Sequence, residues 1–352
     1  MKKYALLIWA VVCSAGCATY LGEPAGSVIY SGGEEGGLQQ VIDSALPGST
    51  VICDTNKQLE ITTPLIIKKA LTLQGLNARL PRNLGCTSLV IVEAKGVTLS
   101  NITLYGNYDT VDQKDRAPLI SIREGNFRIE DCKFYNSSKD GINVCPKSGG
   151  GDIVGGIIRN IKAFRIGRDA VSISGGNRGL RVRDVTVESI SLKKGYLRGA
   201  VEVSDGTHNI KVRGVYAEDC PYAIDVQDHR GKSAPNTNIY IEDVTALNCR
   251  HIIRTANSPR GHATLVLRNF TGTDCEAPVQ ISNTKDVTIE RFQIIKHQSK
   301  KKPPISFKNC QHVTISNVTV ETTHFMNQPV EIQNCTDVSI TELAKPRVLV
   351  TD

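Results

Sequence analysis

The sequence predicts an all-β chain folded as a right-handed parallel β-helix, a solenoid of about eleven coils with a short capping helix at its N-terminal end. Three consecutive segments carry this prediction, beginning at Ile210, Ile239 and Leu265. Each opens with apolar residues (h) in the order h-x-h-x-x-h, reaches a cysteine ten residues after its start, and continues with a second short strand. Such alternation indicates a strand with one buried face, and its repetition at a near-fixed period predicts stacked coils.

The same opening recurs along the rest of the chain. It is found at Leu71, Val97, Phe127, Gly156, Leu180, Val287, Val313 and Val338. One coil is unable to bury its own apolar side, so the coils must stack. An antiparallel sandwich also has short alternating strands, but it gives no reason for cysteine at one position of three successive repeats. The cysteines are therefore expected to be small buried residues, and their spacing does not suit a zinc site.

The first seventeen residues predict an export signal. Two lysines precede an apolar run, Ala5 to Val12, that is too short to span a bilayer. The following Ser14-Ala15-Gly16-Cys17 resembles the lipobox of bacterial lipoproteins. This resemblance implies lipidation of Cys17 and a place in the cell envelope, at the outer membrane, with cleavage by an ordinary signal peptidase as the alternative. Residues 18–32 then form a tether, and residues 33–352 form one β-helix domain.

Four apolar residues near the start of this domain are spaced for one face of a short helix: Leu38, Val41, Ile42 and Ala45. Pro47-Gly48 ends the helix, and a strand begins at Thr50. A helix here would cover the otherwise open end of the solenoid. This helix, the Pro-Gly turn, the strand and the coils after it resemble the pectin-lyase-like superfamily of right-handed parallel β-helix proteins. The resemblance implies the fold, but that superfamily includes lyases, hydrolases, epimerases, esterases and adhesins.

The second strand of each repeat predicts a column of outward side chains. On successive coils these are Asn143, Ser172, Glu202, Asp225, Arg254 and Gln280. Neighbouring rungs of such a column lie about 4.8 Å apart. Charge is concentrated in the middle coils, which suits a long substrate lying across them. The plain alternative is a solvated surface, since charged residues are normally exposed.

Candidate functional residues follow from this column and its flanking turns. The candidate catalytic residues are Glu202, Asp225, Arg254, His229 and Asp169. The candidate substrate-binding residues are Arg198, Tyr222, Gln227, Arg230 and Lys232. Carboxylates one rung apart repel each other, and two arrangements would relieve the repulsion. One is a neighbouring Arg254; the other is a Ca²⁺ ion held by Glu202, Asp225 and Asp228, which is the one cofactor that the sequence predicts.

The preferred function is a polysaccharide lyase that acts on an acidic, uronate-containing polysaccharide. β-Elimination needs the substrate carboxylate neutralised and a base to remove the neighbouring proton. The superfamily resemblance implies Ca²⁺ on acidic residues and an Arg or Lys base, for which Arg254, Arg230 and Lys232 are candidates. Because the pKa of arginine is very high, binding the carboxylate is the safer role for Arg254.

Two other functions remain open. Ser138-Lys139-Asp140-Gly141 resembles the Asn-Thr-Asp-Gly motif of the polygalacturonases, with Asp169 one coil later, and implies a glycoside hydrolase. The next coil departs from that family, because Gly199-Ala200-Val201 stands where it has Gly-His-Gly. The third function is a non-catalytic, glycan-binding or adhesive solenoid at the cell surface.

The charge of the chain also bears on its partners. Without Lys2 and Lys3 the formal net charge falls from +7 to +5, which favours an anionic partner. The basic residues are scattered and no nucleic-acid recognition motif occurs, so nucleic acid is not expected as a partner. The expected protein is a monomer that touches a membrane only through its N-terminal lipid anchor.

Overall fold

The computed structural model describes residues 26–32, 37–54, 57–82, 87–110, 115–176, 179–229, 233–256, 259–297, 299–324, 328–344 and 346–348. The predicted export signal with Cys17, residues 18–25 of the predicted tether, and Arg230 and Lys232 lie outside these residues, so they stay predictions. The described part of the tether is different from the prediction, because Ser27–Tyr30 form a strand that pairs in parallel with Thr50–Cys53 and so belong to the solenoid. In the described ranges, no helix is both long enough and apolar enough to cross a membrane.

The described chain is built almost entirely from short strands. In chain order the elements are β1 (Ser27–Tyr30), α1 (Gly37–Ser44), β2 (Thr50–Cys53), β3 (Leu59–Glu60), β4 (Leu65–Ile67), β5 (Thr72–Gln74), β6 (Asn77–Arg79), β7 (Val90–Val92), β8 (Thr98–Ser100), β9 (Thr103–Tyr105), a 3₁₀ turn (Tyr108–Thr110), β10 (Ile120–Ile122), β11 (Phe127–Tyr135), β12 (Ile142–Val144), β13 (Ile153–Ile166), β14 (Val171–Ser174), β15 (Val182–Gly195), β16 (Val201–Ser204), β17 (His208–Glu218), β18 (Tyr222–Gln227), β19 (Thr237–Leu247), β20 (His251–Ala256), β21 (His262–Thr273), β22 (Val279–Ser282), β23 (Thr284–His297), β24 (Ile305–Lys308), β25 (Gln311–Thr322), β26 (Val330–Gln333), β27 (Thr336–Leu343) and β28 (Arg347–Val348).

These strands form two parallel sheets that share one apolar core. Sheet B contains eleven strands, from β4 to β26, one for each coil, and sheet A contains the other seventeen. The predicted right-handed parallel β-helix of about eleven coils is therefore confirmed. The helix α1 buries Leu38 and Ile42 against the first coil. Its Gln39 side chain also bonds the backbone N–H and C=O of Ile66 at 2.8 and 3.0 Å, which satisfies part of the free edge of β4.

Sheet A bends once in each coil, and the bend explains the h-x-h-x-x-h pattern. In Ile239–Val244, for example, Asp243 is one of the two adjacent non-apolar residues and has a φ of 58°. Asparagine, aspartate and glycine tolerate this left-handed conformation best, and they predominate at the bend. The bend residues, with φ from 50° to 77°, are Gly75, Asn101, Asp131, Asn160, Ser189, Gly214, Asp243, Asn269, Arg291, Asn317 and Glu342.

One predicted strand opening is wrong. The residue that pairs with Gly156 is Val185, five residues after the predicted Leu180. The segment from Leu180 satisfies h-x-h-x-x-h twice, because apolar residues stand at 180, 182 and 185 and again at 185, 187 and 190. The structure selects the second reading, which buries Val185, Val187 and Ile190, whereas Leu180 remains half-buried in the turn.

The core contains the predicted cysteine positions as free thiols. Cys220, Cys249 and Cys275 are all buried, as the repeat predicted, and no disulfide joins them. Aromatic side chains fill the C-terminal coils, where Phe270 and Phe292 stack with ring centroids 4.4 Å apart. Because each coil packs only on its neighbours, a cavity in one coil weakens both of its interfaces.

Replacing Phe270 with alanine should therefore lower the free energy of unfolding by about 3–5 kcal/mol, the usual cost of deleting a buried aromatic ring. Urea denaturation followed by circular dichroism measures the change. Tyr240→Ala, which removes a ring that is 40% exposed on the same sheet, is the matched control. Equal unfolding midpoints for the two variants would contradict the assigned packing of Phe270.

Candidate functional site

The outward column of sheet B has the register that the sequence predicted. Asn143, Ser172, Glu202, Asp225, Arg254 and Gln280 are direct ladder partners on successive coils. The expectation of a solvated surface is wrong for its central part, since both Glu202 and Asp225 are fully buried. They are covered by the guanidinium groups of Arg168, Arg198 and Arg254, whose side chains are 24%, 19% and 28% exposed.

Two of the covering arginines, Arg168 and Arg198, come from turns that precede strands of sheet B, whereas Arg254 lies within β20. Lys139, Arg168 and Arg198 each stand three residues before the first residue of β12, β14 and β16, which are themselves ladder partners. Tight stacking of these turns requires glycine at Gly199, where a Cβ atom would lie 1.6 Å from the carbonyl oxygen of Tyr222. Three cations therefore follow one edge of sheet B at intervals of about one rung.

Glu202 is the carboxylate on which these groups converge. Its Oε1 accepts hydrogen bonds from Arg198 and from the Gln227 amide, the latter at 2.5 Å. Its Oε2 accepts a bond from the Ser172 hydroxyl at 2.7 Å and lies 3.6 Å from the Arg168 guanidinium. Burial opposes the charge of Glu202, but the hydrogen bond with His229 and the nearby arginines outweigh it and lower the pKa to about 2.

Two further carboxyl groups, Asp140 and Asp169, lie beside Glu202 and are fully buried. Burial and the charge of Glu202 raise the pKa of Asp169 well above its usual value, while burial raises that of Asp140 against the attraction of Arg168. Within the described residues, Oδ2 of Asp169 has no hydrogen-bond partner; Arg198 and Arg168 lie 3.7 and 3.9 Å away. We therefore expect Asp169 to hold a proton, which leaves one carboxylate fewer to balance the covering cations.

His229 closes the opposite side of the site. Its carboxylate partner is Asp205, 2.9 Å from Nδ1, rather than the adjacent Asp228. The bonds to Asp205 and Glu202 raise the pKa of His229 to about 9. Nε2 lies 2.9 Å from the Arg198 guanidinium and 3.3 Å from Glu202. Because arginine only donates, the neutral ring accepts from Arg198, and the protonated ring directs its Nε2–H toward Glu202.

The next rungs hold Asp225, Arg254 and Tyr222 as one unit. Arg254 donates to both oxygens of Asp225 at 2.9 Å, and its guanidinium carbon lies 4.4 Å above the centre of the Tyr222 ring. Burial raises the pKa of Asp225, against the bond from Arg254. Tyr222 is only 4% exposed, so it supports Arg254 from below and does not face the groove.

These residues do not fit a Ca²⁺ ion. In the described ranges, no group of three or more His, Cys, Asp or Glu side chains is arranged to hold a metal. Both oxygens of Asp225 are engaged by Arg254, and those of Glu202 by Arg198, Gln227 and Ser172. To hold the ion at the predicted site, Glu202 and Asp225 would have to give up these bonds.

A groove of about 470 Å³ lies above the buried carboxyl groups. It is lined by Lys139, Asn143, Cys145, Arg168, Ser172, Ser174, Gly176, Glu202, Asp205 and His229. A wider depression of about 620 Å³ lies at the bend of sheet A, but no buried carboxyl group, histidine or arginine lines it. Because the ionisable groups at the sheet B groove contact one another and have shifted pKa values, this groove is the candidate site.

The structure brings together most of the predicted site residues. Asp169, Arg198, Glu202, Gln227 and His229 form one contact network, and Asp225, Tyr222 and Arg254 form the next rung. Sequence analysis did not single out Arg168, Lys139 or Asp205 as site residues. The shared position of Lys139, Arg168 and Arg198 before successive strands was a signal that could have found the first two.

No protein-family model matches the chain, and no curated protein does. Solved structures do match. The mannuronan C-5 epimerase AlgE4 A-module of Azotobacter vinelandii is 14% identical, with a TM-score of 0.54, over 86% of this chain and 89% of that one. A family 28 exopolygalacturonase of Yersinia enterocolitica is 12% identical, with a TM-score of 0.54, over 89% and 75%. The N-terminal fragment of bacteriophage Phi29 gene product 12 is 14% identical, with a TM-score of 0.50, over 84% and 67%.

The chain therefore has the right-handed parallel β-helix fold that its sequence predicts. The identities of 12 to 14% show this fold alone. What the protein does must be argued from the groove itself.

The pairing of His229 with Asp205 predicts an unusually basic imidazole. Titration followed by NMR on histidine-labelled protein should give a pKa of about 9 for His229, identified by its loss in His229→Gln. Asp205→Asn should bring this pKa down toward the ordinary value of about 6.5. Because the folded-state pKa is raised, the stability from this pair is fully present below about pH 6.5 and is lost as the pH rises through 9. Titration near 6.5 in both proteins would contradict the pairing.

Proposed function

We propose that the protein is a polysaccharide lyase that cleaves an acidic, uronate-containing polysaccharide by β-elimination. One observation carries the proposal: the solvent-exposed ionisable groups at the groove are cations and one histidine backed by a carboxylate. The carboxyl groups that line or underlie the groove, Asp140, Asp169, Glu202 and Asp205, are buried. A surface of this kind favours an anionic ligand and offers one proton acceptor.

The arginines have capacity to bind a substrate carboxylate. Arg168 has no contact with Asp140, Asp169 or Glu202 shorter than 3.5 Å. Two of these three acids have raised pKa values, so they neutralise the guanidinium poorly. A uronate carboxylate placed against Arg168 would receive charge-assisted hydrogen bonds, and its negative charge would be offset.

Neutralising that carboxylate makes the proton on the adjacent ring carbon, C5, more acidic. His229, in its neutral form, accepts this proton on Nε2 once the substrate has displaced the hydrogen bond from Arg198, and Asp205 stabilises the imidazolium that results. The electron pair of the broken C–H bond forms the C4–C5 double bond, and the glycosidic oxygen on C4 leaves and takes a proton from solvent. The products are one fragment with a new reducing end and one fragment with an unsaturated uronate at its non-reducing end.

The structural neighbours support the class of substrate. One is named a mannuronan epimerase and another an exopolygalacturonase, and both names refer to polymers of uronic acids. Those names leave elimination and hydrolysis equally open for this chain. The preference for elimination rests on which side chains reach the groove.

A glycoside hydrolase is the second candidate, and one observation favours it. Asp169 has a raised pKa and neighbouring Glu202 a pKa of about 2, so the pair has the opposed protonation states of a general acid and a base or nucleophile. Both are fully buried beneath Arg168 and Arg198, which would have to move before a glycosidic bond could reach them.

The proposed location rests on the export signal that the first seventeen residues predict. We propose that the chain is exported and anchored through lipidated Cys17, with the groove presented to polysaccharides at the outer membrane. Mass spectrometry of the purified full-length protein would detect a lipidated Cys17; an unmodified N-terminus produced by cleavage nearby would contradict it.

The decisive experiment incubates the protein with polygalacturonate and with alginate, each with and without chelator, and follows the ultraviolet absorbance of unsaturated uronates. A lyase gives a rise, and we expect at least a hundredfold loss of it in His229→Gln, since general base catalysis contributes about 10²–10⁴-fold. The rate should increase with pH up to about 9, because only neutral His229 accepts a proton.

His312→Gln is the matched control, since His312 also pairs with a carboxylate, Asp286 at 2.8 Å, but lies outside the groove. It should leave the rate unchanged. New reducing ends without ultraviolet absorbance would favour the hydrolase. Binding of polysaccharide with neither product would make the protein a recognition solenoid and overturn the proposed activity.

A further inference from the structure

Lys139 is the member of the edge row of cations that forms no ion pair with the described site residues, although its charge opposes the rise in the pKa of Asp140. Arg168 and Arg198 contact Asp140, Asp169 and Glu202, whereas the Lys139 ammonium forms no ion pair with any described residue. Lys139 is nevertheless half-buried and lines the groove. It occupies the same position as Arg168 one coil nearer the N-terminus, at a separation of about one rung.

Polar side chains form the floor between Lys139 and the reacting end of the groove. Asn143 and Ser172 point outward on adjacent rungs. The Asn143 amide donates to Asp140 at 3.4 Å, and the Ser172 hydroxyl donates to Glu202 at 2.7 Å. The amide oxygen of Asn143 and the lone pairs of Ser172 remain able to accept bonds from sugar hydroxyls. Cys145 lies at the far edge of this floor, and its side chain is partly exposed.

The C-terminal side of the column is different. The turn residues equivalent to Arg168 there are Arg250, Glu276 and Lys302, and they pair with one another at 3.4 and 2.6 Å. Beyond Arg254 the outward column continues through Gln280 to Ser306 and Glu331. The Ser306 hydroxyl donates a hydrogen bond to the Glu331 carboxylate. A polyanion would therefore meet carboxylates and already paired cations on the C-terminal side. On the N-terminal side it would meet the ammonium of Lys139, which forms no ion pair with a described residue.

We propose that the polysaccharide extends from His229 toward the N-terminal coils, over Ser172 and Asn143, and that Lys139 binds the carboxylate of the sugar next to the reacting uronate. This inference rests on the proposed function for the reacting end of the groove. One rung is about the length of one pyranose residue in an extended chain. The site would therefore require two contiguous uronate residues, and Lys139 would be a specificity-determining residue for such blocks.

The first test measures binding, so that it does not depend on turnover. Calorimetric titration of polygalacturonate and of alginate into the His229→Gln protein gives the reference affinity. Adding Lys139→Gln should weaken binding about fivefold to tenfold, as expected for loss of one charge-assisted contact. Lys139→Arg should retain most of the affinity. Lys162→Gln, an exposed lysine on sheet A, should have no effect.

The second test reports the direction of the bound chain. Iodoacetamide should alkylate Cys145 in the native full-length protein, and polygalacturonate or alginate should protect it, as measured by peptide mass spectrometry. Cys335 is also partly exposed but lies on the last coils, so its alkylation should be unchanged. Protection of Cys335 with Cys145 still reactive would place the chain on the C-terminal side and overturn the inference.

The two proposals fail in different ways. Equal affinities for Lys139→Gln and Lys162→Gln, in a protein that still produces unsaturated uronates, would overturn the role of Lys139 and leave the lyase intact. Weakened binding in Lys139→Gln with no turnover of either polymer by the wild-type protein would support the subsite and overturn the lyase. Circular dichroism of each variant shows that it has folded.

Discussion

The candidate site depends on one constraint: carboxyl groups on the outer face of sheet B are taken out of water by the turns above them. A buried carboxylate must be paired or protonated, and both outcomes are expected here. Glu202 and Asp225 are paired with Arg198 and Arg254, and the raised pKa of Asp169 indicates the protonated alternative. The result is a surface of partly neutralised cations, which supports the proposal of an acidic polysaccharide as the ligand.

Outward charges on sheet A show how different this arrangement is. On seven consecutive coils they alternate in sign along one column: Glu130, Arg159, Glu188, Arg213, Glu242, Arg268 and Glu290. They form ion pairs such as Arg159–Glu130 at 2.7 Å, yet the arginines stay largely exposed. Exposed pairs of this kind contribute little to stability individually. The same fold thus presents a self-neutralised, solvated ladder on one face and a buried, cation-rich one on the other.

Repeat spacing and alternation were sufficient to predict the β-helix, its capping helix and the register of the sheet B column, because one buried face per strand leaves a period that is visible in the sequence. Leu180 was misassigned where two overlapping patterns competed, and packing decided between them. Burial of Glu202 and the pairing of His229 with Asp205 were not predictable, since both depend on turns that approach from other coils. Arg168 was overlooked although its position three residues before a strand, shared with Lys139 and Arg198, was visible in the sequence.

Measuring the protonation state of Asp169 tests most directly whether the arginines above the buried carboxyl groups are incompletely neutralised. Difference infrared spectroscopy of wild-type protein against Asp169→Asn, at neutral pH, should reveal the carbonyl stretch of a protonated carboxyl group that the variant lacks. Glu60→Gln, which changes a half-exposed carboxylate paired with Arg79, should alter only the ionised carboxylate bands. If wild-type protein shows no protonated carboxyl band that depends on Asp169, the buried acids are ionised and balance the arginines. The incompletely neutralised cations, on which the proposed preference for an anionic ligand depends, would then not exist.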